Sequence, residues 1–277
     1  MRIFITGANG QLAKTIAALY PQKDIHFASK ENLDITNSSE VLKQITDFQP
    51  DIVFHFASMT RGDECALNPE KAQRINVDGT MNVIKACVAT DAALLFVSTN
   101  EVFDGKKKRP YLEKDVPNPI TVVGRTKFEA EELIKESIKK HFIIRTSWLY
   151  SKWNSNFIHA VLNKALKDKK ISLVKDEIST PTYSLDLAKA IKKLIATKKY
   201  GIYHLSNDGI ASRLDFAKKA FDIKKLKDVE INAVHLDDFE RASKPPLFTP
   251  LKNTKAKKLG ITLPDWNDSL KKFLRTN

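Results

Sequence analysis

A doubly wound parallel α/β sheet with a smaller, interleaved C-terminal lobe is the fold this sequence predicts, and three observations predict it. Short apolar runs alternate with stretches of helical period through the first half of the chain. A glycine-bearing turn directly follows the first of those runs, and after about Ser147 the alternation gives way to a less regular half ending in a tail rich in proline and lysine. In order, Ile3 to Thr6 reads as the first strand and Gln11 to Tyr20 as its helix. A second strand ends in His26-Phe27-Ala28-Ser29-Lys30. Ile52 to Ala57 is a third, followed by one amphipathic stretch from Pro69 to Val88. Ala93 to Ser98 and Phe142 to Ser147 complete the apolar runs of this half. Beyond them, helices are expected near Asn156 to Lys169, Ser184 to Thr197 and Ser212 to Phe221, with a strand at Gly201 to Ser206 and a last helix near Asp268 to Leu274. Residues 1–147, completed by part of 170–206, are therefore expected to form the sheet domain, and residues 148–277 the second lobe.

Composition narrows the partners. With 277 residues, 42% apolar and 29% charged, the chain is long enough for one large core or two modest ones. A formal charge of +13 points to an anionic partner, although a lysine-rich solvated surface accounts for it equally simply. The run Lys106-Lys107-Lys108-Arg109 is short and not interleaved with aromatics, which argues against nucleic acid and for a phosphorylated small molecule. No stretch approaches the ~18 apolar residues of a membrane span, so no membrane role is expected. Cys65 and Cys87 lack metal or redox spacing, as suits a reducing cytoplasm, and His26, His55 and His204 lack clustered acidic or cysteine partners, so no metal site is expected.

The turn itself carries chemistry. Gly7-Ala8-Asn9-Gly10-Gln11-Leu12-Ala13 is a G-x-x-G-x-x-A sequence between strand and helix, the setting of a dinucleotide loop in a Rossmann-type sheet. Gly7 permits the tight turn, Gly10 lets a pyrophosphate approach the backbone, and Ala13 lets the helix pack closely. Asn9, Gln11 and Leu12 fall within the same loop. At the end of the second strand, Ser29 and Lys30 offer donors and a positive charge where an acid would repel a 2′-phosphate. NADPH is favoured, with NADH left open. Ala57, Ser58 and Thr60 end the third strand, where a parallel sheet places its ligands. Asn76 is read as a tie between a helix and a neighbouring strand.

Further motifs follow in order: Leu33-Asp34-Ile35-Thr36, Val97-Ser98-Thr99-Asn100-Glu101-Val102-Phe103-Asp104-Gly105, Pro110-Tyr111-Leu112-Glu113, Gly124-Arg125-Thr126-Lys127, Arg145-Thr146-Ser147-Trp148-Leu149-Tyr150, Pro181-Thr182-Tyr183, and Leu263-Pro264-Asp265-Trp266. Together with the glycine turn they resemble the extended short-chain dehydrogenases, and in particular the dTDP-4-dehydrorhamnose reductase family, over essentially the whole chain. The resemblance implies a nicotinamide-dependent oxidoreductase that reduces a 4-keto-6-deoxy sugar carried on a nucleoside diphosphate, with polysaccharide biosynthesis as its setting and a homodimer left open. It implies Thr99 as the donor to the carbonyl, Lys127 as the lysine that holds the nicotinamide ribose, and Trp148 against the sugar.

The chain departs from the pattern where the substrate should lie. The family's catalytic tyrosine, four residues before the lysine, is here Val123, which has no proton to give. The family's Asp-Tyr after the threonine is Asn100-Glu101, and its Arg-Pro near the diphosphate is Lys244-Pro245, with Arg241 nearby. Two readings stay open. One is a reductase with a substitute acid, for which Glu101, Tyr111 and an ordered water are candidates. The other is a catalytically impaired dinucleotide- or sugar-nucleotide-binding protein with a regulatory or assembly role.

Overall fold

The structure, a computed structural model, describes residues 1–20 and 22–276. Its six-stranded sheet is parallel throughout, in the order Gly201–His204, His141–Thr146, Ala93–Thr99, Ile52–His55, Ile3–Thr6, Ile25–Ala28. Strand alternation explains how both faces come to be covered. In Ile3–Thr6, Ile3 and Ile5 pack with Leu12, Ile16, Leu187 and Ile191 on one face, while Phe4 packs with Val41, Ile45, Val83 and Ile84 on the other. Each such side chain, once fully buried, contributes roughly 1.5–3 kcal/mol.

The first strand lies between the second and third, so the strand order reverses beside it. A crevice therefore opens beyond the carboxyl ends of Ile3–Thr6 and Ile52–His55, the place where open α/β sheets bind ligands. The helices around it begin on side-chain caps. Asn37 Oδ1 accepts from Glu40 N to start Ser38–Phe48, and Thr121 Oγ1 accepts from Gly124 N to start Val122–Ser137.

Several boundaries differ from the sequence reading, three of them by the most informative margins. The stretch expected to be continuous from Pro69 to Val88 is Pro69–Gln73, a wide π-type turn over Arg74–Asp78, and Gly79–Thr90. The widening accompanies Asn76, whose amide is spent on the loop after the third strand, and Gly79, where any Cβ would lie 2.7 Å from Ile35. The last helix starts at Trp266, and the strand at Gly201 ends at His204.

That strand pairs with His141–Thr146, so the chain returns to the sheet after leaving it. Around it, Lys170–Val174 pairs with Glu230–Val234, and Tyr150, Tyr183, Phe216, Trp266 and Phe273 form an aromatic cluster with the last helix. Among the described residues no helix is long and apolar enough to cross a membrane.

Candidate active site

A cavity of about 380 Å³ fills the crevice, lined by Gly7, Asn9, Gly10, Lys30, Ala57, Ser58 and Thr60 among others. Gly7 has φ of +68°, and a Cβ there would meet Ala57 N at 2.5 Å, so only glycine lets this turn close against the third strand. Gly10 opens Gln11–Ala17 with no side-chain cap, which leaves backbone N–H groups turned to the crevice, as an anionic group requires. The residues present fit a dinucleotide.

Not every residue of the loop faces that ligand. Gln11 donates from Nε2 to Leu149 O and accepts from Ser151 Oγ, so it ties the loop to the second lobe, and Leu12 is buried in the core. The backbone N–H of Ser29 donates to Asn32 Oδ1, while Lys30 stays exposed at the cavity. Glu31, one residue past the segment used for the sequence reading, accepts from Asn9 Nδ2 at 2.9 Å. Glu31 thus ties Asn9 of the loop to the end of the second strand, beside Lys30. Arg61 and Lys71 also line the cavity; only their positive charge hinted at this in the sequence.

Behind the crevice runs a buried polar chain. Thr80 Oγ1 donates to Asn76 O, so His55 Nε2 is the donor to Thr80 and His55 Nδ1 accepts from Thr6 Oγ1, at 3.0 and 2.7 Å. Thr6 in turn accepts from Ala57 N. The Asn76 amide pairs with both backbone groups of Met59, accepts from Ser58 Oγ and donates to Thr126 Oγ1, which fixes the cofactor loop to the helix carrying Lys127. Burial, helped by the Lys127 charge, pushes His55 down to about 3, and burial does the same to His204. Unfolded histidine binds its proton below about 6.5, so between there and about 3 the unfolded chain binds more protons. Stability should therefore fall as pH drops through that window, by up to ~1.4 kcal/mol per pH unit for each histidine. Urea midpoints at pH 7 and pH 5 check this, and a pH-independent midpoint contradicts it.

Lys127 is only 4% exposed, with Nζ 4.3 Å from the Phe96 ring centroid. Burial pushes it down to about 7, against the pull of Glu131 and then Cys65. Glu131 is itself engaged, accepting from Arg145 Nη2 at 2.6 Å and from Nε. One turn earlier Val123, 2% exposed, packs on Met59, Cys65 and Ala72. At the end of Ala93–Thr99, the half-buried Thr99 accepts from Glu101 N at 3.2 Å and donates to Asn100 Oδ1 at 3.3 Å, capping the short turn Asn100–Val102. Gly124 rests against the Glu101 carbonyl so closely that a Cβ would lie 2.1 Å from it. Thr99, Glu101, Thr121 and the start of the Lys127 helix thus form one knot.

A second cavity, about 730 Å³, is lined by Asp63, Phe157, Glu177, Arg213, Phe239 and Arg241. Asp63 and Glu64 are successive residues of Gly62–Leu67, yet Asp63 lines this cavity and Glu64 the crevice, so that short helix separates the two. Its Cys65 packs with Val123 and feels the charges of both Glu101 and Lys127. Arg213 gives Nε and Nη2 to Glu177 Oε1 at 3.1 and 2.9 Å and lies 3.7 Å over the Trp148 ring, whose backbone is left-handed at φ +43°.

Two expected substrate contacts are placed otherwise. Asn100 is buried and donates to Thr249 Oγ1 and Ser179 Oγ, so its amide is occupied by the protein. Lys244 is exposed and bonded to Asp237, while Arg241 is the cation at the cavity wall. Glu177 and Arg213, absent from the sequence reading, belong to the site, and no single motif marked either. Among the described residues no group of His, Cys, Asp or Glu could hold a metal ion.

Fold and crevice together define a dinucleotide-binding α/β protein with a second, charged cavity. More particularly, the chain belongs to the family described as RmlD substrate binding domain, whose model matches residues 1–277. It is 35% identical to the dTDP-4-dehydrorhamnose reductase of Aggregatibacter actinomycetemcomitans, over 98% of this chain and 97% of that one. It is 32% identical to the spore coat polysaccharide biosynthesis protein SpsK of Bacillus subtilis, over 99% and 97%. Among solved structures, the dTDP-4-dehydrorhamnose reductase of Bacillus anthracis in complex with NADP superposes with a TM-score of 0.96 at 36% identity, covering 100% of this chain and 99% of that one.

Proposed function

We propose that the protein is an NADPH-dependent reductase of a nucleotide-linked 4-keto-6-deoxy sugar, NADH serving less well. The observation that carries this reading is the glycine-walled crevice in a chain matched over residues 1–277 by the family model, with Thr99 tied through Glu101 and Thr121 to the helix that carries Lys127. NADPH supplies a hydride to the keto carbon. Thr99 Oγ1, turning its proton from Asn100 Oδ1, would hold the carbonyl oxygen as charge develops there, and Lys127 Nζ, with no hydrogen-bond partner among the described residues, would hold the nicotinamide ribose. Arg241 and Arg213 attract the diphosphate and Trp148 walls the sugar. The sheet domain, residues 1–147 with the Gly201–His204 strand, holds the cofactor and residues 148–277 the sugar. A cytoplasmic enzyme, with Cys65 and Cys87 as free thiols, follows from the same reading, and pairing of two copies is an option that sedimentation would decide.

A second reading has its own observation. Val123 stands in a closed apolar cluster where the family pattern expects the acid, as a binding protein without turnover would allow. Following NADPH absorbance with dTDP-linked 4-keto-6-deoxy sugars separates the two. Oxidation is expected, with Thr99→Val lowering kcat by roughly 10²-fold. Tight NADPH binding with no oxidation across such a panel supports the binding protein instead.

A further inference from the structure

The geometry points to a replacement for the missing acid: we propose that Glu101, anchored by Thr121 in the turn that Thr99 caps, hands its carboxyl proton to the oxygen of the reduced carbonyl. The inference rests on the reductase reading above and names the proton donor that reading lacks.

Position comes first. Glu101 is in the turn capped by Thr99, its backbone amide bonded to the hydroxyl assigned to the carbonyl. Its backbone abuts Gly124, the residue after Val123, so the carboxyl arises beside the site where the family pattern places a tyrosine. Thr121 Oγ1, which accepts from Gly124 N, donates to Glu101 Oε2 at 2.7 Å. The other oxygen, Oε1, has no hydrogen-bond partner among the described residues, so a neutral Glu101 carries its proton there. The side chain is held at one oxygen and free to donate from the other.

The surrounding charges explain why the acid can stay neutral. Burial raises the Glu101 pKa above its ordinary value and Glu177 pushes it the same way, while the Thr121 hydrogen bond, Arg213 and Arg241 oppose them. Glu177, Arg213 and Arg241 all line the second cavity, so the groups that act on Glu101 are those that face the sugar nucleotide. From Gly62–Leu67, Cys65 shares the field of Glu101 and Lys127, and Asp63 is paired with Arg241 at 3.5 Å. Arg213 is turned toward Glu177 by two hydrogen bonds and pinned over Trp148, so Glu177 keeps a fixed partner. Two carboxyls with different surroundings take different parts: one gives a proton and the other tunes it. Tyr111, the alternative side chain, is 1% exposed, stacked on Phe103 and donating to Asp104 Oδ1, which removes it from the reaction.

The step balances. As hydride reaches the carbonyl carbon, the π pair moves to oxygen, the O–H bond of Glu101 breaks and a new O–H bond forms on the sugar. The carboxylate left behind regains a proton from water before the next turnover. Glu101 must therefore be protonated to act, so kcat should decline as pH rises through the raised Glu101 value.

The test has an activity arm and a direct one. Glu101→Gln should lower kcat for NADPH oxidation with the dTDP-linked keto sugar by roughly 10²- to 10⁴-fold while NADPH affinity, read by fluorescence, is unchanged. Glu177→Gln should move the alkaline limb of the kcat profile to lower pH, since one of the charges that raise the Glu101 value is gone. Independently, infrared spectra of the protein without added ligands, native minus Glu101→Gln, should show a neutral-carboxyl band persisting above pH ~4.3, the ordinary glutamate value. Turnover in Glu101→Gln within threefold of native, or no neutral-carboxyl band above that pH, overturns the proposal alone, while an alkaline limb shifted by Glu177→Gln supports it. A native protein that binds NADPH but never oxidises it overturns the reductase reading and this inference together.

Discussion

Gly7→Ala is expected to remove NADPH binding from the measurable range and to destabilise the fold by roughly 2–4 kcal/mol. The alanine Cβ would lie 2.5 Å from Ala57 N and 2.8 Å from Ala57 Cα, both backbone atoms that no rotamer change can move. The residue also sits at φ +68°, where a side chain adds strain of its own. Relief requires the first turn or the end of the third strand to shift, and both are walls of the dinucleotide crevice. A shift there also stretches the Thr6–His55 and Thr6–Ala57 hydrogen bonds, so the damage reaches the Asn76 amide behind the cofactor loop. Fluorescence titration with NADPH and urea unfolding measure the two effects. A variant with native affinity shows that the crevice does not hold the dinucleotide.

Glu131→Gln should destabilise the protein by about 3–5 kcal/mol, the usual result of removing one partner from a buried ion pair. Arg145 and Glu131 are 2% and 0% exposed, and Lys127, also buried, feels the same carboxylate. Without it two cations remain inside with no anion between them. Lys127 should respond by losing its proton more readily, since Glu131 is the largest influence opposing its burial. The linkage has a definite sign. The folded Lys127 releases its proton near about 7 and the unfolded one near 10.5, so native stability should rise with pH between those values as the buried charge disappears. In Glu131→Gln that rise should begin at lower pH. Urea unfolding of both proteins between pH 6 and pH 10 reads it, and parallel curves would remove Glu131 from the environment of Lys127.

The sheet was legible because its physics is local. Ile3 to Thr6, Ala93 to Ser98 and the glycine turn carry their own signals of apolar run and backbone freedom, and the structure places each where those signals do. The helix break at Arg74–Asp78 was not legible, since it depends on Asn76 reaching Met59 across the fold. Nor was the pairing of Lys170–Val174 with Glu230–Val234, segments separated by more than fifty residues.

The site divides in the same way. Residues on a motif, such as Gly7, Thr99 and Lys127, could be named from sequence. Glu177 and Arg213 acquire meaning only where separate elements bring them together at one cavity. Asn100 shows the converse: a motif position that faced the substrate in the reading is taken up by Thr249 and Ser179, far from it in sequence. Glu31 lies one residue beyond the segment that was legible, and its bond to Asn9 brings an acid to the glycine loop.

The central claim is that a nicotinamide ring lies between Thr99 and Lys127 with the sugar cavity on its far side. A crystal structure of the protein with NADPH tests this most directly. The account predicts pyrophosphate over Gly7 and Gly10, ribose hydroxyls within about 3 Å of Lys127 Nζ, and the Glu101 carboxyl facing the nicotinamide C4. A dinucleotide bound elsewhere, or one whose nicotinamide leaves Lys127 resting on Phe96 and untouched, contradicts it.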